Sequence, residues 1–404
     1  MLLLVGCSAP AETAERVSRL FADAPENAQG EAYDQLYFIR PGETPHAGGN
    51  MESIGLIARD CPNPYANPEY PFSPSAIKDF LTCPLRFWLK RVLKISPGDA
   101  LEDSKSEPDA AEYGTLLHAI LQDITTRYAS AEPGTDETTL ALEIAAYATE
   151  SVAAHIAAQY GHQSSVLTAP LRILQRNMCR TAREFSRLHA RDLCNGWEVI
   201  MREEQLVLEL PAEDGEPPLR FDMRVDRVDR HRDDATRMRV IDYKTNKSTP
   251  RETHWDKLAG SAPELYASYM PEALTLLDKK ENSYRWSSVQ LPLYAEALRR
   301  RFQLPTLPET GFYNMPRNKP GEVKYNAMSG VETKSAMTDE LHAQALACVR
   351  SAAGLMRAGL CLYSAESLGR NMSYDSFGAL SIYKDPDPRV MCGLPPLPLS
   401  TVEH

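Results

Sequence analysis

The sequence predicts an α/β fold in which a short mixed sheet is flanked by helices and preceded by a helical elaboration. Over much of the first half of the chain, apolar residues recur three and four positions apart, which is typical of amphipathic helices. Beyond residue 196 apolar and polar residues alternate, which is the period of strands, before helical spacing returns. This order of elements, with helices first, then a short run of strands and then further helices, favours the α/β fold class.

The helical elaboration is predicted to begin at Ser75. This residue is the expected N-cap of the first helix, since a serine oxygen can accept hydrogen bonds from the free amides of a first turn. Cys83-Pro84 is expected to end that helix, because proline has no amide hydrogen to donate. Helical spacing then continues over 85–95, 111–128, 138–160 and 166–192.

Three strands are predicted for the sheet, over 197–210, 219–230 and 237–243. The later elements are a helix near 262–277, a helix over 287–302, a strand over 311–315 and a helix over 337–358. Together these elements predict one main domain over 71–385, with a helical part at about 71–195 and a sheet core at about 196–385. Two segments flank this domain. Residues 1–70 are expected to be an N-terminal extension and linker, and one interpretation is that they are the tail of a preceding domain. Residues 386–404 are expected to be a proline-rich tail.

The composition is that of a folded protein, with 43% hydrophobic and 25% charged residues. The 44 Lys and Arg against 55 Asp and Glu give a net charge of −11, so nucleic-acid contacts would have to come from local basic patches. No apolar run is long enough to span a membrane. The eight cysteines form no CxxC pair, which is typical of reduced thiols and indicates a cytoplasmic protein.

A lipid anchor at Cys7 is an alternative, because Leu4-Val5-Gly6-Cys7 resembles a lipoprotein cleavage box. No Lys or Arg precedes this segment, and its apolar stretch is shorter than a signal sequence requires. A short buried strand is therefore the favoured interpretation, and no membrane partner is expected.

Two carboxylates and a lysine have the clearest chemical pattern. Asp226 lies on one predicted strand, and Asp242 and Lys244 lie at the end of the next. Because alternate residues of a strand share a face, Asp242 and Lys244 point to the same side. Carboxylate oxygens suit Mg²⁺ or Mn²⁺, and a lysine beside the ion can position or deprotonate a water. Taken alone, Asp242 and Lys244 are more readily interpreted as a surface ion pair at a strand end.

Five motifs follow one another along the chain. They are Phe72-Ser73-Pro74-Ser75 with Cys83-Pro84-Leu85-Arg86-Phe87-Trp88, Tyr113-Gly114-Thr115-Leu116-Leu117-His118, Arg224-Val225-Asp226-Arg227-Val228-Asp229, Ile241-Asp242-Tyr243-Lys244-Thr245 and Gln290-Leu291-Pro292-Leu293-Tyr294. In this order they resemble the RecB/AddB-type nuclease domain of bacterial helicase–nuclease enzymes, within the PD-(D/E)XK superfamily. The resemblance covers roughly 72–382 and implies a restriction-endonuclease-like core. One departure is Met223, where the family usually has glycine.

The resemblance also implies a metal centre. In the family the helical histidine is a metal ligand, so His118, Asp226, Asp242 and the Tyr243 carbonyl would hold Mg²⁺ or Mn²⁺. Asp226, Asp242 and Lys244 would be the catalytic residues. A strand glutamate assists the site in relatives, but the pattern leaves the choice between two neighbours, Glu203 and Glu204, open.

A DNA substrate follows from the same resemblance, in single strands or at ends, with Gln290 and Tyr294 contacting its backbone. The implied activity is an exonuclease-type deoxyribonuclease in DNA repair and recombination. The chain contains no Walker A motif, so a helicase partner or a missing helicase domain is expected to deliver the DNA. A non-catalytic DNA-binding or scaffold module of a repair complex is the alternative. The run 86–94 could be a DNA-facing strip or an amphipathic helix with solvated charges.

An iron–sulfur cluster is common in the AddB branch, where the cysteine of the first motif joins three clustered C-terminal cysteines. Here Cys83 is present, but Cys348, Cys361 and Cys392 are widely spaced. A cluster is therefore not expected, although four thiolates of any spacing can meet in a folded chain.

Overall fold

The computed structural model describes residues 7–8, 63–94, 96–97, 110–160, 169–258 except 214 and 216, 271–277, 281–328 and 337–359. Its helices are α1 (Pro74–Thr82), α2 (Pro84–Phe87), α3 (Ala110–Arg127), α4 (Glu137–Tyr160), α5 (Ala169–Cys194), α6 (Pro250–His254), α7 (Gln290–Arg301) and α8 (Asp339–Arg357). Its strands are β1 (Cys7–Ser8), β2 (Ser96–Pro97), β3 (Trp197–Leu210), β4 (Leu219–His231), β5 (Asp234–Lys244), β6 (Trp255–Lys257), β7 (Thr275–Leu277), β8 (Ser283–Trp286), β9 (Glu309–Asn314) and β10 (Lys324–Ala327). The α/β prediction is thereby confirmed.

The main sheet has five strands in the order β10-β9-β5-β4-β3. Neighbours are antiparallel except β5 and β9, which run parallel. The sheet is therefore mixed, as the sequence predicts. Because β5 and β9 are parallel, both strands end at the same edge of the sheet, which carries Lys244.

Helices cover both faces of this sheet, and the alternation of β5 divides its residues between the two cores. Ile241 and Tyr243 pack with the apolar residues of α3, α4 and α5. Val240 packs on the opposite side with those of α1, α2, α7 and α8. The predicted helical elaboration thus contributes to both layers, with α3–α5 on one face and α1–α2 beside α7 and α8 on the other.

Smaller elements lie beside the main sheet. A second sheet has the order β6-β8-β7, and β1 pairs antiparallel with β2. The favoured interpretation of the Cys7 segment as a short strand agrees with this pairing. Within the described ranges, no helix is both long and apolar enough to cross a membrane.

Two predicted details are wrong, and one predicted helix differs in type over part of its length. The N-cap of α1 is Ser73, whose hydroxyl accepts from the Ala76 amide at 3.1 Å, because Pro74 occupies the first helical position. The helix predicted over 85–95 is α2 followed by a π-helical turn, Trp88–Val92. Residues 271–277 of the helix predicted near 262–277 form a 3₁₀ turn and β7, and residues 262–270 lie outside the described ranges.

Most of the predicted extension over 1–70 and the whole tail over 386–404 also lie outside the described residues. The same is true of Cys361 and Cys392. Cys83 and Cys348 are described, and both are buried free thiols.

Candidate active site

The predicted carboxylates lie where β4 and β5 separate. The ladder between these strands ends at the pair Arg227–Ile241, and one further step in the same register places Asp226 opposite Asp242. Nearer the start of β4, the side of the strand that β5 leaves is contacted by Phe72 instead. The Phe72 carbonyl accepts a hydrogen bond from the Asp222 amide at 2.9 Å. Asp226 and Asp242 therefore lie at the open end of the β4–β5 ladder.

His118 reaches these strands from α3. Its Nδ1 lies 2.8 Å from Glu203 Oε1 and 3.7 Å from Asp226 Oδ1. Its Nε2 lies 3.3 Å from the Tyr243 carbonyl oxygen. The Tyr243 amide in turn donates to Asp226 Oδ2 at 2.7 Å. The imidazole is thus oriented with Nδ1 facing two carboxylates and Nε2 facing the backbone of β5.

The glutamate at this site is Glu203, not its neighbour. β3 carries one extra residue, Ile200, relative to β4, and Glu203 has a positive φ of 48°. A bulge and a left-handed residue both change which face a side chain occupies, and strain of this kind is concentrated at functional sites. Glu204 points elsewhere and pairs with Arg301 at 3.0 Å. The alternation of apolar and polar residues in the sequence indicates neither the bulge at Ile200 nor the positive φ of Glu203.

Asp242 and Lys244 face α7, and a chain of hydrogen bonds continues from them. Lys244 Nζ lies 2.6 Å from Asp242 Oδ2 and donates to Gln290 Oε1 at 3.3 Å. Gln290 Nε2 donates to the Tyr294 hydroxyl at 2.9 Å, and that hydroxyl donates to the Arg224 carbonyl at 2.7 Å. Gln290 and Tyr294 therefore share a face, as their spacing predicts, and connect Lys244 to the backbone of β4.

The pKa values of Asp226, His118 and Lys244 are raised at this site. Burial and the neighbouring Asp242 charge raise the pKa of Asp226 to about 7. Burial acts to lower the pKa of His118, but the hydrogen bond to Glu203 and the charge of Asp226 outweigh it and raise the pKa to about 9. Burial likewise opposes the charged form of Lys244, yet Asp242 raises its pKa above the ordinary value. Three carboxylates, Glu203, Asp226 and Asp242, therefore lie close together at this point, and carboxylate oxygens are the donors that a divalent cation binds.

Three side chains could hold that cation. One ligand atom each from His118, Glu203 and Asp226 lies within 4.8 Å of the other two. An imidazole nitrogen with two carboxylate oxygens is a donor set that fits a divalent ion such as Mg²⁺ or Mn²⁺. Asp242 lies beside this group rather than in it, since its carboxylate is ion-paired with Lys244. Of the predicted side-chain ligands, His118 and Asp226 are brought together, and Glu203 is the addition.

The two charged residues that follow Asp226 form a buried network behind the site. Arg227 and Asp229 are fully buried and joined by a bond of 2.6 Å from Arg227 Nε to Asp229 Oδ1. Arg239 donates to the same carboxylate at 2.7 Å and lies 2.6 Å from Asp192 of α5. Their placement between the sheet and α5 makes them structural residues.

The basic aromatic run is not a stacking surface. Phe87 and Trp88 are buried in the core, at 0% and 2% exposure. Lys90 and Arg91 both pair with Asp79 of α1, at 3.1 and 2.7 Å. Phe87 and Trp88 are therefore not available to stack on bases, which favours the interpretation of the run as an amphipathic segment.

Sequence comparison agrees with this geometry. Residues 71–363, well over half of the chain, match the family model of the PD-(D/E)XK nuclease superfamily. No curated protein matches the sequence. The mixed five-stranded sheet with helices on both faces is consistent with the core of that superfamily.

Proposed function

The chain belongs to the PD-(D/E)XK nuclease superfamily, and from this premise we propose that it is a metal-dependent deoxyribonuclease. The observation that supports the proposal most strongly is the convergence of His118, Glu203 and Asp226 within 4.8 Å. This group lies next to a buried carboxylate–lysine pair, Asp242 and Lys244. Nuclease members of the superfamily use divalent metals, and the donor set here fits one.

The metal centre would be held by His118, Glu203 and Asp226. A divalent ion bound there would polarise a phosphoryl oxygen and lower the pKa of a bound water. His118 would bind through Nδ1, because its Nε2 faces the Tyr243 carbonyl, and a hydrogen bond of that kind orients ligating histidines. We propose Mg²⁺ as the physiological ion, with Mn²⁺ as a substitute.

Lys244 would act on the attacking water and on the charge that develops at phosphorus. Because Asp242 raises its pKa, Lys244 is an ammonium at neutral pH and therefore a donor rather than a base. It can hold the water by a hydrogen bond and neutralise negative charge in the transition state. Asp242 and Gln290 fix its position.

The order of the five motifs supports a finer assignment, to an AddB-like exonuclease module of a helicase–nuclease acting in double-strand-break repair and recombination. Single strands or ends delivered by a helicase would be the substrate. The alternative is a DNA-binding or scaffold module without turnover. The complete set of His118, Asp226, Asp242 and Lys244 weighs against that alternative.

The test is digestion of end-labelled single- and double-stranded DNA with Mg²⁺ and with EDTA. Lys244→Met removes the proposed donor. Arg237→Met is the control, since Arg237 lies near the opposite end of β5 from Lys244 and forms an exposed pair with Glu309. We expect Mg²⁺-dependent cleavage that Lys244→Met lowers by about a hundredfold or more and Arg237→Met leaves intact. Absence of both cleavage and metal binding would contradict the proposal in favour of the scaffold. Metal binding without cleavage would require the assay to be repeated with a helicase that supplies single strands.

A further inference from the structure

A buried histidine lies at the start of α7, the helix that carries Gln290. His254 is the last residue of α6, and its side chain is fully buried. Its Nδ1 donates to the Pro250 carbonyl at 2.7 Å, and burial lowers the pKa of His254 to about 3. The imidazole is therefore neutral, and the lone pair of its Nε2 is available to accept a hydrogen bond.

This nitrogen accepts a hydrogen bond from the first turn of α7. The Leu291 amide donates to His254 Nε2 at 3.4 Å. The N-cap residue of α7 is Val289, whose side chain has no acceptor, so the first amides of the helix need other partners. The Gln290 amide donates to Ser288 Oγ at 3.4 Å. His254 and Ser288 thus take the place of an N-cap side chain.

The His254 ring also packs on Phe312, a fully buried residue of β9. The centroids of the two rings lie 5.8 Å apart, and their planes are inclined by 35°. Phe312 pairs with Asp242 across the β5–β9 ladder, and Lys244 Nζ lies 5.2 Å from the centre of the Phe312 ring. An ammonium at this distance is attracted to an aromatic ring. His254 and Lys244 therefore share one aromatic neighbour.

We propose that His254 is a positioning residue for Lys244, acting through the first turn of α7 and through the Phe312 ring. This inference rests on the proposed nuclease function and adds to it a residue outside the five motifs. The first turn of α7 begins with Gln290, whose Oε1 accepts from Lys244 Nζ at 3.3 Å. Loss of the Nε2 acceptor would leave the buried Leu291 amide without its partner, which is costly. A turn that moves to satisfy this amide would carry Gln290 away from Lys244.

The experiment compares two substitutions of His254 in the full chain. His254→Phe keeps an aromatic ring but removes the acceptor, and His254→Gln can offer an amide oxygen to the Leu291 amide. His189→Phe is the matched control. His189 is also fully buried and bonded to a backbone carbonyl, that of Tyr128, but it lies on α5 at the other face of the sheet.

Four measurements are made on each variant. Urea denaturation gives stability, cleavage of an end-labelled oligonucleotide gives kcat and KM, titration gives Mn²⁺ affinity, and a crystal structure gives the distance from Gln290 Oε1 to Lys244 Nζ. His254→Phe is also combined with Lys244→Met, because a residue that acts through Lys244 should have no further effect once that lysine is absent.

We expect His254→Phe to lower kcat by about tenfold or more, as for a misplaced reacting group, with KM and Mn²⁺ affinity unchanged. The distance from Gln290 Oε1 to Lys244 Nζ should exceed the 3.3 Å of the wild type. His254→Gln should recover most of kcat, and His189→Phe should lose stability but keep its kcat. In the Lys244→Met background, His254→Phe should leave kcat unchanged.

An unchanged kcat in folded His254→Phe, with an active wild type, would overturn the role of His254 while leaving the nuclease function in place. An equal loss of kcat with and without Lys244 would overturn it as well. Should His254→Phe not fold, the same comparisons made with Phe312→Leu, which removes the shared ring, decide the question. A wild type that neither binds nor cleaves DNA would refute the nuclease function, and the role of His254 with it.

Discussion

The His118 imidazole and the Glu203 carboxylate lie 2.8 Å apart, although 85 residues separate them in sequence. The histidine belongs to the helical half of the chain and the glutamate to the first strand of the sheet. Their contact therefore joins the two halves at the point where Asp226 ends the β4–β5 ladder. A metal ion at this contact would link the helical elaboration to the sheet, so that metal binding and the packing of α3 depend on each other.

Replacing Glu203 should weaken metal binding. Glu203→Gln removes one negative oxygen ligand but preserves the size of the side chain, and we expect Mn²⁺ affinity to fall by about tenfold or more. Isothermal titration with Mn²⁺ measures the change. Glu204→Gln is the matched control, because Glu204 pairs with Arg301 and should alter the affinity less than twofold. Equal losses in the two variants would contradict the assignment of Glu203.

Metal affinity should rise with pH between about 6 and 9. In the metal-free protein the pKa of Asp226 is about 7 and that of His118 about 9, so protons occupy both groups at neutral pH and below. The ion must displace them, and raising the pH removes this competition. Titrations at pH 7 in buffers with different ionisation enthalpies should show release of about one proton or more per ion. Binding without proton release would show that the ion uses other ligands.

Asp226→Asn should stabilise the metal-free protein while preventing cleavage. Burial and Asp242 raise the pKa of Asp226 to about 7, so its ionisation above that pH opposes folding. An asparagine cannot ionise, and its amide oxygen can still accept from the Tyr243 amide. We expect a gain of about 1 to 4 kcal/mol in the free energy of unfolding at pH 8 in EDTA, shrinking toward pH 5. Urea denaturation measures it, and a loss at pH 8 would contradict the electrostatic account of the site.

Asp229→Ala should be strongly destabilising for a different reason. It removes the carboxylate that Arg227 and Arg239 share. The buried Arg227 guanidinium then loses its nearest carboxylate, and Arg239 keeps only Asp192. The expected cost is about 3 to 5 kcal/mol in the free energy of unfolding, measured by urea denaturation. Asp222→Ala breaks an exposed pair with Arg220 and should cost less than about 1 kcal/mol. Similar costs for the two variants would mean that the buried network contributes little to stability.

The main elements could be predicted from the sequence because their patterns are long and regular. The bounds expected for β3 agree with the structure, since alternation persists over most of its length. The small sheet of β6, β7 and β8 was not predicted, because strands of three or four residues contain too few positions to define a period. The N-cap of α1 lies two residues before the predicted Ser75, because the pattern alone does not show that Pro74 begins the helix.

The site was predicted in part. The motifs identify His118, Asp226, Asp242 and Lys244 as a group, and the structure brings them to one region. Glu203 could not be chosen over its neighbour, because its orientation depends on a bulge and on a left-handed backbone that the pattern does not encode. Residues far apart in sequence, such as Gln290 and Lys244, become neighbours only when α7 packs against β5.

The central claim is that His118, Glu203 and Asp226 hold a divalent metal ion. The most direct measurement is a crystal structure of the protein grown with Mn²⁺, with anomalous difference maps recorded from the same crystal. The account predicts an anomalous peak between His118 Nδ1 and the carboxylates of Glu203 and Asp226, and its loss in Glu203→Gln crystals at the same Mn²⁺ concentration. A map with no peak at these residues at saturating Mn²⁺, or with its only peak at other ligands, would contradict it.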